Sequence, residues 1–403
     1  MERVEKRIIL LGGSTQQIPA IEYANSRGYY TILCDYLPDN PGKNYSDKFY
    51  CVSTIDKETI LDIARKEKVD GIVAYASDPA APTAAYVAEK LGLPTNPYKS
   101  VEILTNKDKF REFLEKNNFK TPKAKGYDSI EEARKEILNF KLPVIIKPVD
   151  SSGSKGVTKL SDFNNLEKQI NNALLYSRSK RFIIEEFVDK HGYQVAGDGF
   201  IIDGNLVFRC FGNDHFDGNG LNKFVPISAS FPYNQPKRIH KKIHNEIQRL
   251  LSLLNMKSGA YNFDIRIDKE ENVYLMEVGP RNGGNFIPQV IRYATGIDMI
   301  EYTIKSAMGE NCDDIEMKDT NGFWSYYAIH SLKEGILKEI KIDEKVKKDN
   351  IVETHLNYEI NDHIQAFIGA NGCIGIIIMR FNSMKEMLDM MDNSEKWINL
   401  IVE

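Results

Sequence analysis

Two carboxylates sit where carboxylates are expensive. In "YNFDIRIDKEENVYLMEVGPRNGG", Asp264 lies between Phe263 and Ile265, and Glu277 between Met276 and Val278. The segments carrying them read as adjacent strands joined by a turn over 268–272. A carboxylate in an apolar strand must be paired or bind a metal. Two side by side repel each other, and a divalent cation resolves the repulsion. Oxygen ligands suit Mg²⁺ or Mn²⁺, which keep waters and bridge phosphates. Arg266 and Arg281 are the alternative partners, each accounting for one carboxylate at a time. Arg281 follows Glu277 closely enough to reach a transferred phosphoryl group.

A second constellation is "PVIIKPVDSSGSKGV", residues 143–157. It is no Walker A loop, because Lys155 precedes the second glycine and a strand follows where a helix is needed. It also lacks the spacing of a dinucleotide loop. What remains is a strand ending on Lys147, a loop rich in backbone N–H donors and a second strand. Such a hairpin can fold over a polyphosphate, with Lys147 and Lys155 adding charge; the alternative is an ordinary mobile Gly-rich turn. A third element, "RFIIEEFV", is an apolar strand whose end over 185–188 offers backbone hydrogen bonds and apolar walls to an adenine. No nucleophile elbow or Cys–His arrangement is present. His215, in "RCFGNDHFDGNG", reads as a loop histidine. It is a candidate general base for an amine, against the alternative of a solvated side chain.

These groups need a scaffold. Residues 7–100 alternate strand and helix patterns, which implies a parallel sheet with helices on both faces. "LPTNPYKS" marks a boundary, "NKDKFREFLEKNNF" a helix, "TPKAKGYDS" a loop and 129–139 a further helix. Hairpins dominate thereafter, interrupted by a helix near 235–255, with a last helix near 383–391. The chain has 403 residues, a formal net charge of −4 and five scattered cysteines. Those properties fit a two- to three-domain protein of a reducing cytosol, with no sign of a nucleic-acid or membrane partner. The N-terminal apolar run is too short for a signal segment or a span, so a cytoplasmic location is expected. A homodimer is the default for an enzyme of this size.

Together these residues resemble the ATP-grasp superfamily, from about Ile8 to the C-terminus. Lys107 in "NKDKF", "VIIKPVDSSGSKGV", "IIEEFV" and "FDIR…LMEVGPRNGG" occur in the family's order. The resemblance implies that Lys107 and Lys147 contact the phosphates of ATP. The loop of Ser151, Ser152, Gly153, Ser154, Lys155 and Gly156 would close over them. Glu185, Glu186, Phe187 and Val188 would line the adenine pocket, with Gln194 beside the ribose. Asp264 and Glu277 would hold magnesium, while Arg281 steadies the γ-phosphate and the intermediate. Two departures stand out. The family often has Asn where this chain has Gly279, which makes Asn282 the candidate replacement ligand, and it usually has Glu where this chain has Gln194.

The N-terminal segment is similar to that of the phosphoribosylglycinamide synthetase, formate-dependent formyltransferase and L-amino-acid ligase branch. There the Gly12-Gly13-Ser14 turn meets substrate, as would Asp78; a turn or helix-cap role is the alternative for Asp35 and Asp78. His215, Arg281, Gly283 and Gly284 are the remaining candidates to face the substrates. The implied architecture is α/β, α+β in the central part. A Rossmann-like domain would span 1–105, an ATP-grasp domain 106–320 with a lid at about 121–187, and a small β-rich domain 321–403.

The implied activity is an ATP- and Mg²⁺-dependent ligation of a small-molecule carboxylate to an amine through an acyl phosphate. A phosphoribosylamine substrate predicts a phosphate nest over residues 12–15, whereas an amino-acid ligase would use that turn to pack domains. A nucleotide-binding protein without catalysis is the competing class, and an NAD-dependent oxidoreductase is disfavoured by the spacing of "GGSTQQ".

Overall fold

The strand Arg7–Leu11 lies inside a parallel sheet, with Tyr30–Asp35 on one side, Gly71–Val73 on the other and Lys48–Cys51 at the edge. The structure is a computed structural model and describes residues 5–403. Alternate side chains of the central strand enter two separate cores. Ile9 and Leu11 share one with Ile60, Ala64 and Ala88, from the helices Lys57–Glu67 and Ala81–Leu91. Ile8 and Leu10 share the other with Ala20, Ile21, Ile300 and Ile304. Burial on both faces is why the strand is an unbroken apolar run. Part of the second face is covered from far along the chain, by the helix Met299–Ala307. Gly71 permits that approach: a Cβ there would stand 2.6 Å from the Ala307 carbonyl oxygen.

The hairpin belongs to a four-stranded antiparallel sheet in the order Ala124–Tyr127, Phe182–Glu186, Val144–Pro148, Thr158–Leu160. The helices Ile130–Glu136 and Leu166–Tyr176 cover one face, through Ala133, Ile170 and Ala173. The "TPKAKGYDS" segment is therefore not all loop. Ala124–Tyr127 becomes an edge strand because Phe182–Glu186 supplies its ladder and Tyr127 stacks on Phe182, with ring centroids 5.6 Å apart.

The largest sheet has eight strands, ordered Val273–Gly279, Gly259–Ile267, Gln194–Ile202, Asn205–Phe216, Pro226–Phe231, Phe323–Ile329, Gly375–Phe381, Ile351–Leu356. It runs without a break across residue 320, so the C-terminal strands are hydrogen-bonded to the central ones. The helix Lys237–Leu253 aligns Ile239, Ile243, Ile247 and Leu250 on one face, and all four are fully or almost fully buried. His215 is a strand residue and not a loop residue, paired with Ser228 of the next strand. Among the described residues, no helix is long and apolar enough to cross a membrane.

Candidate active site

Asp264 and Glu277 stand directly opposite each other across an antiparallel pair, with a bulge immediately after Asp264. Asp264 Oδ1 is buried and has no hydrogen-bond partner among the described residues. Its carboxyl is pushed up, chiefly by burial, with the Glu277 charge adding to the rise against Arg266. Neither nearby arginine bonds to the two carboxylates. Arg266 donates to Gln194 Oε1 at 2.8 Å and to the Val188 carbonyl at 2.9 Å. Arg281 grips Asp78 with two nitrogens, at 2.7 and 2.5 Å. Among the described residues only Lys107 forms an ion pair with either carboxylate, its Nζ 3.6 Å from Glu277 Oε2. An orphaned carboxylate oxygen beside a second carboxylate fits a divalent cation. Among the described residues no group of three ligating side chains exists, so water and phosphate oxygens would complete the shell.

The cationic side of the cleft is a buried triad. Lys147 Nζ donates to Glu185 Oε1 at 2.5 Å, and Arg111 Nε to Glu185 Oε2 at 2.9 Å. Two cations hold the Glu185 carboxyl down to about 2 despite its burial. Lys147 has one anion and also feels Arg111 and Lys107, so burial wins and brings its ammonium down to about 8. Arg111 also donates to the carbonyls of Leu275 and Met276, at 3.3 and 3.0 Å, just before Glu277. The sequence reading missed Arg111. Its signal was a charged residue one helical turn from Lys107, on the face that buries Phe110 and Leu114.

The Ser151–Gly156 loop closes the cleft. Ser154 Oγ donates to the Phe224 carbonyl at 2.7 Å, Asn222 Nδ2 to the Ser154 carbonyl at 2.9 Å, and Ala370 N to the Gly153 carbonyl at 3.3 Å. Gly153, Ser154 and Gly156 all have left-handed φ, at 67°, 57° and 72°. The enclosed space is about 100 Å³, bounded by Lys107, Lys147, Glu185, Gln194, Asp264, Glu277 and residues 151–155. Sites for whole cofactors are usually about 300–1,000 Å³. That space is small for a nucleoside triphosphate, and the loop with its three hydrogen bonds bounds it on one side.

Both departures from the family pattern have local causes. A Cβ at Gly279 would stand 2.8 Å from Asp78 Oδ1 and 3.2 Å from Arg281 Cζ, so the ion pair already fills that space. At 194, the amide nitrogen donates to Asp214 Oδ2 at 3.1 Å while the oxygen accepts from Arg266. A glutamate would set another carboxylate against Asp214, which burial and the Asp264 charge already push up.

Other sequence candidates fall in different places. Of residues 185–188 only Glu185 reaches the cleft wall. The Glu186 and Phe187 amides bond to the Lys123 and Pro143 carbonyls, Phe187 lies under Lys159 at 3.6 Å, and the Val188 carbonyl accepts from Arg266. Asn282 is fully buried and accepts from Thr303 at 2.9 Å, outside the cleft. Gly283 donates to the buried Asp198 at 2.8 Å, and a Cβ at Gly284 would meet Gln16. Asp78 lines a small recess shared with Lys107, Ser151 and Glu277. His215 is not available as a base: its Nδ1 lies 2.7 Å from Asp392 and its Nε2 2.8 Å from Ser230, and its side chain has no exposed surface. Burial lowers its pKa despite Asp392.

Residues 140–289, which carry the lysine, the loop, the hinge and both carboxylates, match the family model of the ATP-grasp domain. The chain carries an ATP-grasp domain. The large chain of carbamoyl phosphate synthase from Thermoanaerobacter pseudethanolicus is 24% identical over 311 residues, 76% of this chain and 28% of that protein. The chain thus spans less than a third of that relative. Phosphoribosylglycinamide synthetase from Anaerococcus prevotii superposes with a TM-score of 0.75 at 24% identity, covering 99% of this chain and 100% of that one. L-amino acid ligase from Bacillus licheniformis gives 0.81 at 21% identity, with both chains fully covered. The chain therefore shares the fold of these two structures, with a parallel N-terminal sheet followed by antiparallel sheets.

Proposed function

We propose that this protein is an ATP- and Mg²⁺-dependent ligase that joins a small-molecule carboxylate to an amine and releases ADP and phosphate. The observation that carries the reading is the Asp264–Glu277 pair, with its orphaned oxygen, facing Lys107, Lys147 and the closing loop. A carboxylate is a poor acylating agent because its leaving group would be oxide. The γ-phosphoryl group of ATP moves to a carboxylate oxygen, the bond to ADP breaks, and an acyl phosphate forms. The amine then displaces inorganic phosphate and loses a proton to solvent.

Mg²⁺ held by Asp264 and Glu277, or Mn²⁺ in its place, would screen the triphosphate from the incoming carboxylate. Lys107 and Lys147 hold the transferring phosphates, and Arg281 is oriented by Asp78, which lines a recess shared with Lys107 and Glu277. The closed loop keeps water from the acyl phosphate. No protein nucleophile is required. Two substrate pairs suit this chemistry: the phosphoribosylamine and amino acid of a phosphoribosylglycinamide synthetase-like reaction, and the two amino acids of a dipeptide ligase. The second is favoured by the internally bonded N-terminal turn described below. The test is ADP and phosphate release with MgATP and a panel of amines and carboxylates. Tight nucleotide binding without turnover on any pair would favour a nucleotide-binding protein that has lost catalysis.

A further inference from the structure

Outside the nucleotide cleft, a cavity of about 620 Å³ opens between the N-terminal turn, the Asn285–Phe286 corner and C-terminal residues from His355 to Ile376. It is tied to the reaction centre at two points. Asn285 N, at the end of the segment that bears Arg281, donates to Gln16 Oε1 at 2.7 Å. Ala370, on the opposite wall, holds the carbonyl of the lid residue Gly153.

The wall is shaped at a cost. Asn285 and Phe286 are consecutive left-handed residues, with φ of 53° and 60°, a conformation seldom taken by a bulky side chain. The corner lays the Phe286 ring flat on the His355 imidazole, with centroids 4.1 Å and planes 14° apart. Strain of this kind persists where surrounding structure enforces it, and it clusters at ligand sites.

Among the described residues, the lining contains no lysine or arginine. His355 Nε2 is occupied by Glu353 at 2.7 Å. Asp35 spends both oxygens on backbone, accepting from Gly13 N and Leu37 N at 2.8 Å each. Three of the four amides of the expected phosphate nest over residues 12–15 are spent too. Gly12 N donates to the Cys34 carbonyl at 2.9 Å, Gly13 N to Asp35, and Ser14 N to Gln17 Oε1 at 3.0 Å. A phosphate dianion would meet a carboxylate and no compensating cation. What the cavity offers is Thr15, Gln16, Asn357 and Asn371 for neutral hydrogen bonds, and Leu37 and Ile376 for apolar contact.

We propose that this cavity binds the non-nucleotide substrate and selects a phosphate-free molecule with an uncharged body, hydroxyl or amide groups and one apolar face. This rests on the ligase reading and narrows it. The test uses matched pairs, L-serine with O-phosphoserine and L-threonine with O-phosphothreonine, each of which carries both a carboxylate and an amine, titrated into the whole protein with MgATP. Thermal shift and ADP release are followed together. At least one neutral member should be recognised, at a concentration at least tenfold below that of its phosphorylated partner. Asn371→Lys, which adds a cation to the wall, should narrow or reverse that ratio, and Thr15→Trp, which fills the cavity, should abolish the neutral response. Equal or better response to the phosphorylated members overturns the proposal, as does no response to any neutral member. Recognition of the neutral members without MgATP binding, by fluorescent-nucleotide titration, would sink the ligase reading alone.

Discussion

Arg111 and Glu185 meet at 2.9 Å inside the protein, the first on the helix Lys107–Lys116 and the second on the strand Phe182–Glu186, and both side chains are almost completely buried. On its other oxygen Glu185 holds Lys147 of the neighbouring strand in the same sheet, while Arg111 ties the helix both to that sheet and to the strand that carries Glu277. Glu185→Gln leaves two buried cations facing a neutral amide. It should destabilise the protein by about 3–5 kcal/mol, the usual cost of breaking a buried pair from one side. Urea denaturation reads this directly, and Glu185→Ala should behave alike.

The metal carboxylates make an opposite prediction for stability. Asp264→Asn removes a repulsion from Glu277 and Asp214, so the ligand-free protein should melt at a higher temperature. Turnover with MgATP should nevertheless fall by about 100-fold or more, or ~2.7 kcal/mol of barrier. An unchanged turnover would sink the metal assignment.

The same groups set a pH dependence. Burial, with neighbouring carboxylates, raises the folded-state pKa of Asp264 and Asp214 above the unfolded value, Asp214 to about 8. The native state then binds more protons than the unfolded chain, so this stability is fully present below the ordinary carboxylate range and is lost as pH rises towards 8. Without Mg²⁺, melting temperature should fall across that window, and Asp264→Asn should flatten the fall.

Lys147 should report nucleotide binding. Burial lowers its pKa to about 8 in the free protein, and phosphate beside it would raise the pKa again. ATP binding near pH 8 should therefore take up a fraction of a proton. Calorimetry in two buffers of different ionisation enthalpy measures that uptake, which Lys147→Met should abolish.

Loop opening should limit nucleotide entry. Asn222 donates both to the Ser154 carbonyl and to the Ile368 carbonyl, at 2.9 Å each, and so latches the lid to the C-terminal loop that carries Ile368. Asn222→Ala should raise the association rate of a fluorescent ATP analogue several-fold and raise futile ATP hydrolysis, read by stopped flow and phosphate release.

His215 should prove structural. Removing the ring strands Asp392 and Ser230, so His215→Ala should cost about 1–3 kcal/mol in urea denaturation while turnover per folded molecule stays near wild type.

The sequence by itself determined the class of site. Asp264 and Glu277 in apolar strands, Lys147 before a loop of small residues, and the alternation over 7–100 are local signals with physical costs attached, and local signals survive in a linear reading. The parallel sheet, the hairpin and the opposed carboxylates could be read for that reason. Tertiary structure alone decided what depends on distant partners. Arg281 turns to Asp78, Gln194 bridges Arg266 and Asp214, and Arg111 closes on Glu185 because sheet packing brings them within hydrogen-bond reach. His215 read as a loop because Gly212, Asp217 and Gly218 flank it, but backbone pairing with Ser228 keeps it in a strand, and its ring meets Asp392 from far along the chain. The second cavity lies beyond linear reading for the same reason. Its walls come from the N-terminus, the middle and the C-terminal part of the chain, and the absence of lysine and arginine from its described lining emerges only when the three are assembled.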